Sequence, residues 1–422
     1  MFDMRLPLVL TLATSCLAAA ESAAPRLRLD AEQAVALALE RNGDVFAAGH
    51  NAAAANQRAR ALLAIAYPRL TVFASGELAD GTRNPLRQPG EDRTRYGASG
   101  EASQLLWAGG LVGAALRGAA STRDLGAADL RLVRRDLASA TRDAVSGVHY
   151  LRDLIANANA RIVQRESERD HAAGRVAAGA AAASDRRQSD LVLATARDEL
   201  MRAESRLASQ LLVLAELIAE PGAALDVTGA LQRPAQLAER LAAAQGNIAR
   251  GPELAAFDAR RRGQLADADS QRARRWPMFS AFAGGGYDGA QVDDLDDGWQ
   301  AGLRLEWSIY DGGERLALNR AANQSVQALA AQAEVTRLAR QRAAADLRQR
   351  AASLDGRITL QREVIALAEA DYADVRGQYQ FGTVTRTRVN EANLAVFEAR
   401  FVYASLVYEE NLIDHAAGRL SD

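Results

Sequence analysis

YQFGTVTRTRVNEANLAVFEAR, residues Tyr379–Arg400, is the stretch that decides how this chain folds. An echo of it lies at Val176–Ala196, VAAGAAAASDRRQSDLVLATA. Gly382 and Gly179 stand 203 residues apart, and at that spacing Leu394 falls on Leu191, Ala399 on Ala196 and Arg400 on Arg197. Each glycine follows one long helical pattern and precedes another, which predicts the turn of a helical hairpin at both places. Two hairpins at one spacing make the chain an internal duplication, and a repeat on this scale governs the whole fold.

Outward from the turns, both halves show the same order of patterns. In the first half Leu29–Ala66 is helical, with Asp30 as its N-cap and Pro68 beyond its end. Arg69–Glu77 and Arg95–Trp107 have strand character and flank a Gly-, Pro-, Asn- and Arg-rich loop, Leu78–Thr94. Gly109-Gly110 closes that pair, and helical patterns run from Leu111 to about Ala178 and from Ser184 to about Ala219. In the second half Leu237–Arg275 is helical, with an interruption at Arg250-Gly251-Pro252, and Pro277 follows Trp276 as Pro68 follows Tyr67. A strand at Met278–Tyr287, an acidic loop at Asp288–Gly298 and a strand at Trp299–Tyr310 come next. Gly312-Gly313 then precedes helices over Glu314–Gln380 and Thr385–Ala417. The expected division is a leader at 1–20, a first repeat at 21–220, an inter-repeat or equatorial segment at 221–236 with room for one short strand, and a second repeat at 237–422.

The strand signal is clearest in WQAGLRLEWSIY, where Trp299, Ala301, Leu303, Leu305, Trp307 and Ile309 alternate with Gln300, Gly302, Arg304, Glu306, Ser308 and Tyr310. Period-two alternation gives a strand one apolar and one polar face. A dozen residues suit a tilted membrane strand, which needs roughly 9–11. All four tryptophans, Trp107, Trp276, Trp299 and Trp307, lie in or beside these strands, as the aromatic girdles of a membrane barrel require. The other reading is an amphipathic strand of a soluble sheet. Four strands per chain cannot close a barrel, and open edges are not tolerated in lipid, so membrane strands would have to be pooled; three chains would supply twelve.

The helices carry the second signal. From each Gly-Gly pair to the next hairpin glycine is about 68 residues, roughly 100 Å of helix. Ala351, Leu354, Ile358, Ile365, Ala368, Tyr372, Val375 and Tyr379 keep a heptad in which Gln361 is the polar member. A 3.5-residue apolar repeat argues for left-handed coiled-coil packing in a rod or a tunnel wall. A plain coiled-coil stalk, such as a periplasmic adaptor or scaffold, explains the heptads equally well but not the strand pairs.

Composition narrows the chemistry. The 51 basic residues are all arginine, which rules out a Walker lysine, a Schiff-base lysine and a Ser–Lys dyad. A net charge of −2 argues against nucleic acid. Asp293, Asp294, Asp296 and Asp297 do not fit a calcium loop, Gly284-Gly285-Gly286 lacks the context of a nucleotide loop, and the four histidines are scattered. No enzyme, no cofactor and no metal site is expected. The one cysteine, Cys16, lies in a leader-like segment. Arg5 is its positive start, Leu6–Leu17 its apolar core, and Ala18 and Ala20 its cleavage signal. Acylation at Cys16 is the alternative processing.

Hairpin, long helix, glycine turn and long helix, repeated twice, resemble the outer-membrane efflux protein family typified by TolC. The resemblance rests on Asp30–Asn42 (DAEQAVALALERN), Tyr67–Leu70 (YPRL), Ile309–Gly313 (IYDGG) and the two hairpin turns, and covers nearly all of the mature chain. It implies a mainly α fold with a membrane β part: a homotrimer whose twelve-stranded β-barrel is continued by a long α-helical coiled-coil barrel. It implies an exit duct in the cell outer membrane extending into the periplasm, opened by a periplasmic adaptor and an inner-membrane transporter, ABC or proton-driven. By the family pattern Asp185 and Tyr379 belong to the gate, hydrogen-bonded between neighbouring helices in the closed state, and Arg388 and Glu391 stand where the family carries pore-narrowing acids. Glu391 keeps the acid and Arg388 reverses it; Val384 replaces a locking arginine. From the residues alone, Asp185 with Gln188 also reads as an N-cap, Tyr379 as a packed heptad residue, and Arg388–Glu391 as an exposed pair. YQFG and NEANLAVFEAR resemble the type I protein or adhesin secretion branch slightly more than the small-molecule (drug or metal) efflux branch.

Overall fold

The computed structural model describes residues 26–78, 94–291 and 293–421. The leader at 1–20 with Cys16, and most of the first strand-connecting loop, lie outside the described residues. In chain order the elements are β1 (Arg26–Leu29), α1 (Ala31–Arg41), α2 (Gly43–Leu63), β2 (Arg69–Leu78), β3 (Thr94–Trp107), α3 (Leu111–Ala177) and α4 (Ala183–Leu217). They continue with β4 (Ala224–Val227), α5 (Leu237–Gly246), α6 (Pro252–Ala273), β5 (Met278–Gln291), β6 (Asp294–Glu306), α7 (Glu314–Gln380) and α8 (Arg386–Ser421).

The duplication shows in the lengths and spacing of the long hairpins. α3 and α7 each have 67 residues and start 203 residues apart, as do α4 and α8. At 1.5 Å per residue each of the longer helices spans about 100 Å. Both begin after a left-handed glycine, Gly110 (φ 97°) and Gly313 (φ 89°). Both end on another, Gly179 (φ 70°) and Gly382 (φ 71°). Beyond each of these the next N–H reaches back five positions, Ala180 to the Arg175 carbonyl at 2.8 Å and Thr383 to that of Gln378 at 3.1 Å. Only a residue at ease with positive φ lets the last carbonyls of the helix be satisfied in this way.

The heptad is the buried seam of the second hairpin. Ala351, Leu354, Ile358 and Val375 are buried against α8, and Gln361 donates to the Ala399 carbonyl at 2.8 Å. Leu354 and Ile358 form a cluster with Leu406 and Ile413 of α8. In the first repeat, Leu137, Val145 and Val148 of α3 join Leu214 and Ile218, together with Ala34 and Ala38 of α1 and Val227 of β4.

Three spans differ from the sequence expectation. The first helix breaks in two at Asn42, whose side chain accepts from the Asp44 N–H and caps α2, while Asp30 caps α1 in a reciprocal box with Gln33. β1, a strand with no counterpart in the expected order, pairs in parallel with β4. The acidic stretch Asp288–Gly298 is mostly strand: β5 runs to Gln291 and β6 starts at Asp294, ending at Glu306 rather than Tyr310. Aspartate is disfavoured in strands that face a core, but this end of the ladder stands in solvent, where it is tolerated. Among the described residues no helix is long and apolar enough to cross a membrane.

Candidate pore and gate

β2, β3, β5 and β6 form one antiparallel sheet in that order, which leaves β2 and β6 as unpaired edges within the chain. Register divides it into two faces. Leu70, Val72, Ala102, Ala281, Ala283, Leu303 and Trp299 share one; Ser75, Ser99, Glu101, Gly284, Gly286, Gln300 and Arg304 share the other. The polar face is concave, and its residues line a trough. Gly284 and Gly286 allow this curvature, since a Cβ on either would lie 2.6 and 2.5 Å from the carbonyl oxygens of Gly100 and Ala98. Across the trough Arg304 pairs with Glu101 at 3.3 Å and lies 4.6 Å above the Phe282 ring. The convex face is bare: Leu70, Val72, Trp299 and Leu303 are each at least three-quarters exposed. A sheet with a polar concave face and an exposed apolar convex face is a segment of a barrel wall.

The tryptophans fall in two groups. Trp107, Trp276 and Trp307 cluster where the sheet meets the helices, Trp107 edge-on to Phe279 at 5.8 Å and Trp307 donating to the Arg275 carbonyl at 3.1 Å. Trp299 lies eight residues before Trp307, about 25 Å away along the strand. It shares the convex face with Tyr96 and Tyr287.

At the hairpin turns the structure separates the sequence-nominated residues. Asp185 is in the first turn of α4, but the N-cap is Ala182, so the capping reading fails. Among the described residues its carboxylate meets only the Ser184 hydroxyl, at 3.3 Å. Tyr379 is 39% exposed at the end of the heptad, and within one chain it makes no hydrogen bond to Asp185. Arg388 is committed elsewhere: it pairs with Asp371 of α7 at 3.0 Å and approaches Glu391 at 3.9 Å. Val384 is half-buried.

A seam between α3 and α8, which joins the two repeats, carries residues the sequence reading missed. From the turns upward, Arg386 donates to the Ser167 hydroxyl at 2.8 Å, and the Gln164 amide to Asn390 at 2.8 Å. Tyr150 stacks on Tyr408 at 4.8 Å, and His415 meets Asp143 at 2.7 Å. The seams within each hairpin have an apolar core flanked by ion pairs such as Arg197–Glu166 and Arg400–Glu369; in this one polar and aromatic contacts recur along its length. Burial pushes the Tyr150 and Tyr408 hydroxyls up, and burial with the charge of Arg152 holds His149 below the usual imidazole range. Higher up, Glu253 of α6 stands between Arg135 of α3 at 2.7 Å and Arg340 of α7 at 2.9 Å. Partners 87 to 272 residues apart leave no local signature in the sequence.

The family model described as outer membrane efflux protein matches residues 34–220 and 243–409. Among solved structures, the outer membrane protein VceC of Vibrio cholerae superposes with a TM-score of 0.81 at 18% identity, over 93% of this chain and 95% of that one. The CmeC outer membrane channel of Campylobacter jejuni gives 0.77 at 15% identity, over 93% and 86%. The open state of the MtrE outer membrane channel of Neisseria gonorrhoeae gives 0.76 at 18% identity, over 92% and 88%. No curated protein sequence matches the chain.

Proposed function

The chain belongs to the outer membrane efflux protein family, and we propose that it is the small-molecule exit duct of a tripartite export system, gated at its two hairpin turns. It is an outer-membrane channel reaching into the periplasm, and a duct rather than an enzyme. Channels of the family are trimers that work with a periplasmic adaptor and an inner-membrane transporter. For this chain the observation that carries the reading is the four-stranded sheet with unpaired edges β2 and β6 and an apolar convex face. Lipid does not tolerate open edges, and three copies joined edge to edge remove them. Trp107, Trp276 and Trp307 then form the inner girdle and Trp299 the outer one. The two repeats divide at 221–236, around β4.

Small-molecule efflux comes first because efflux is what the family description names. Type I protein secretion is the second reading, favoured by the likeness of Tyr379–Gly382 and Asn390–Arg400 to that branch. Deleting the gene should sensitise cells to dyes and detergents and leave the secreted proteins unchanged; the reverse result selects secretion.

In the trimer Asp185 of one hairpin faces Tyr379 of a neighbour, and Glu391 forms the acidic ring. Arg388 adds no free cation to that ring, because Asp371 neutralises it. Asp185→Ala combined with Tyr379→Phe should raise single-channel conductance in planar bilayers, and Glu391→Gln should lower cation preference. Unchanged conductance would remove the first two from the gate. Extraction from outer membranes by salt alone would overturn the channel and favour a periplasmic scaffold.

A further inference from the structure

α6 starts at the break Arg250-Gly251-Pro252, and its N-cap, Gly251, has no side chain to cap the first turn. The N-terminus of a helix is its positive end and favours acidic neighbours. Here arginines surround it. Arg131 and Arg135 of α3, Arg250 and the backbone at Gly251 and Pro252 line an open cavity of about 490 Å³. Arg340 of α7 stands against Gly251, so close that a Cβ there would lie 2.5 Å from its guanidinium. We infer that this cavity binds a phosphate group, free or carried as a monoester on a small soluble body.

The local ion pairs leave that positive charge standing. Glu253, in the first turn of α6, is shared between Arg135 at 2.7 Å and Arg340 at 2.9 Å. Asp136 pairs with Arg135 at 2.9 Å and lies 3.8 Å from Arg419. Three arginines therefore share two acids behind the cavity. Asp258, the one acid that lines it, is paired with Arg261 at 3.2 Å. Arg131 and Arg250 are exposed, and neither meets a carboxylate among the described residues. Arg135 is nine-tenths buried, and its Nη1 has no acceptor. A buried donor left unpaired is costly, and an oxyanion seated against Arg135 supplies the acceptor. Phosphate brings close to two charges and three strong acceptor oxygens, which suits two free guanidinia and an open helix N-terminus better than a carboxylate does. Lipid is not the source of the group. Arg135 lies 24 residues along α3 from Leu111, roughly 36 Å from the base of the sheet and out of reach of a headgroup there.

The probe is radiolabelled inorganic phosphate, in equilibrium dialysis against the full-length protein in non-ionic detergent, with chloride holding the ionic strength constant. One saturable site per chain is expected. Arg131→Gln and Arg250→Gln, at exposed positions outside the ion pairs, should each weaken binding about tenfold, the size of one charge-assisted hydrogen bond. Arg187→Gln removes an exposed, unpaired arginine near the first hairpin turn and should change nothing. Glycerol phosphate should compete: more tightly than phosphate itself if a monoester is the occupant, less tightly if free phosphate is. Acetate should not compete. The inference is overturned if both rim variants bind as the parent does, if Arg187→Gln weakens binding equally, or if acetate displaces the probe. It is also overturned if no saturable binding is found, the result expected where a carboxylate of a neighbouring subunit fills the cavity. Circular dichroism identifies a variant that has failed to fold, and the other rim arginine then decides. The assay needs neither an open gate nor transport, so its failure leaves the duct reading untouched.

Discussion

The two repeats carry the same helices and bury them by opposite chemistry at the equator. On α4, Leu207, Leu211 and Leu214 pack into an apolar cluster with α1, β1 and β4. On α8 the positions 203 residues later are Glu410, Asp414 and Ala417. Glu410 and Asp414 are buried to 2% and 5% exposure, and each is met by an arginine. Arg233 grips Glu410 at 2.8 and 2.5 Å, and Arg240 of α5 holds Asp414 at 2.5 Å. Helix length is fixed by the need to pair turn for turn along the whole hairpin. Socket chemistry is not so fixed, provided every buried charge has its partner. An apolar socket accepts any apolar helix, whereas an ionic one accepts only a segment with arginines correctly spaced.

The largest effect that would test this contrast is at Arg233. Arg233→Met leaves Glu410 buried without a counter-charge, and breaking a buried pair in this way costs about 3–5 kcal/mol. Arg233→Met with Glu410→Leu restores the chemistry of Leu207 and should recover most of the loss. Urea unfolding of the two single variants and the double closes the cycle. If the double variant remains as unstable as Arg233→Met, the sockets are not interchangeable and the contrast is of shape rather than charge.

pH gives a second handle, because the residues of the first apolar cluster carry no carboxylate. Burial holds the Asp414 carboxyl above its ordinary value of 3.8, with Arg240, His415 and Arg142 drawing it back. The folded protein then binds that proton more tightly than the unfolded chain, so stability falls as pH rises from 3.8 through the raised value and levels off above it. Glu253 has the opposite sign. Burial pushes it up, but the hydrogen bond from Arg135 and the charges of Arg135 and Arg340 outweigh burial and leave it below 4.5. Its stabilisation is present above 4.5 and is lost as pH falls through the lowered value. Asp414→Asn should remove the falling component and Glu253→Gln the acid loss, both read from urea midpoints between pH 3 and 8.

The same contrast marks what was legible in the residues. Hairpin lengths were, because glycine turns and a heptad repeat are local and periodic. The barrel strand β6 was, through its alternation from Trp299 to Leu305. β1 was not: four residues, RLRL, carry no pattern, and their partner β4 lies some 200 residues away. The ionic socket was not either, since Glu410 and Asp414 in YEENLID read as surface charge until Arg233 and Arg240 are brought over them. Asp185 and Tyr379, expected to bond between neighbouring helices, do not meet within one chain, and no local pattern in the residues says which helices would bring them together.

A smaller test asks whether the two turns are equal in energy as they are in geometry. A Cβ on Gly179 or on Gly382 would meet nothing within 4 Å, so substitution is felt only through φ. Gly179→Ala and Gly382→Ala should each cost about 1–2 kcal/mol, the penalty for an L-residue in the left-handed region. Unequal losses would show that the two turns, alike in φ, differ in what surrounds them.

The smallest effect lies where the chain breaks its own rule. α4 ends with Ala219 at φ 57°, the one non-glycine with positive φ among the described residues. The backbone pattern is that of the hairpin turns, with the Glu220 N–H reaching the Ala215 carbonyl at 2.8 Å. Ala219 is exposed, so its methyl group contributes little packing, while Ile218 before it is fully buried and Glu220 after it pairs with Arg41. These neighbours hold the bend, and alanine tolerates it under strain. Ala219→Gly relieves about 1 kcal/mol of left-handed strain. It returns about half of that through the greater freedom of glycine in the unfolded chain. A net gain of about 0.5 kcal/mol in urea unfolding is expected. A loss instead would mean that the methyl group, not the clamp of Ile218 and Glu220, sets the angle at which the first hairpin enters the equator.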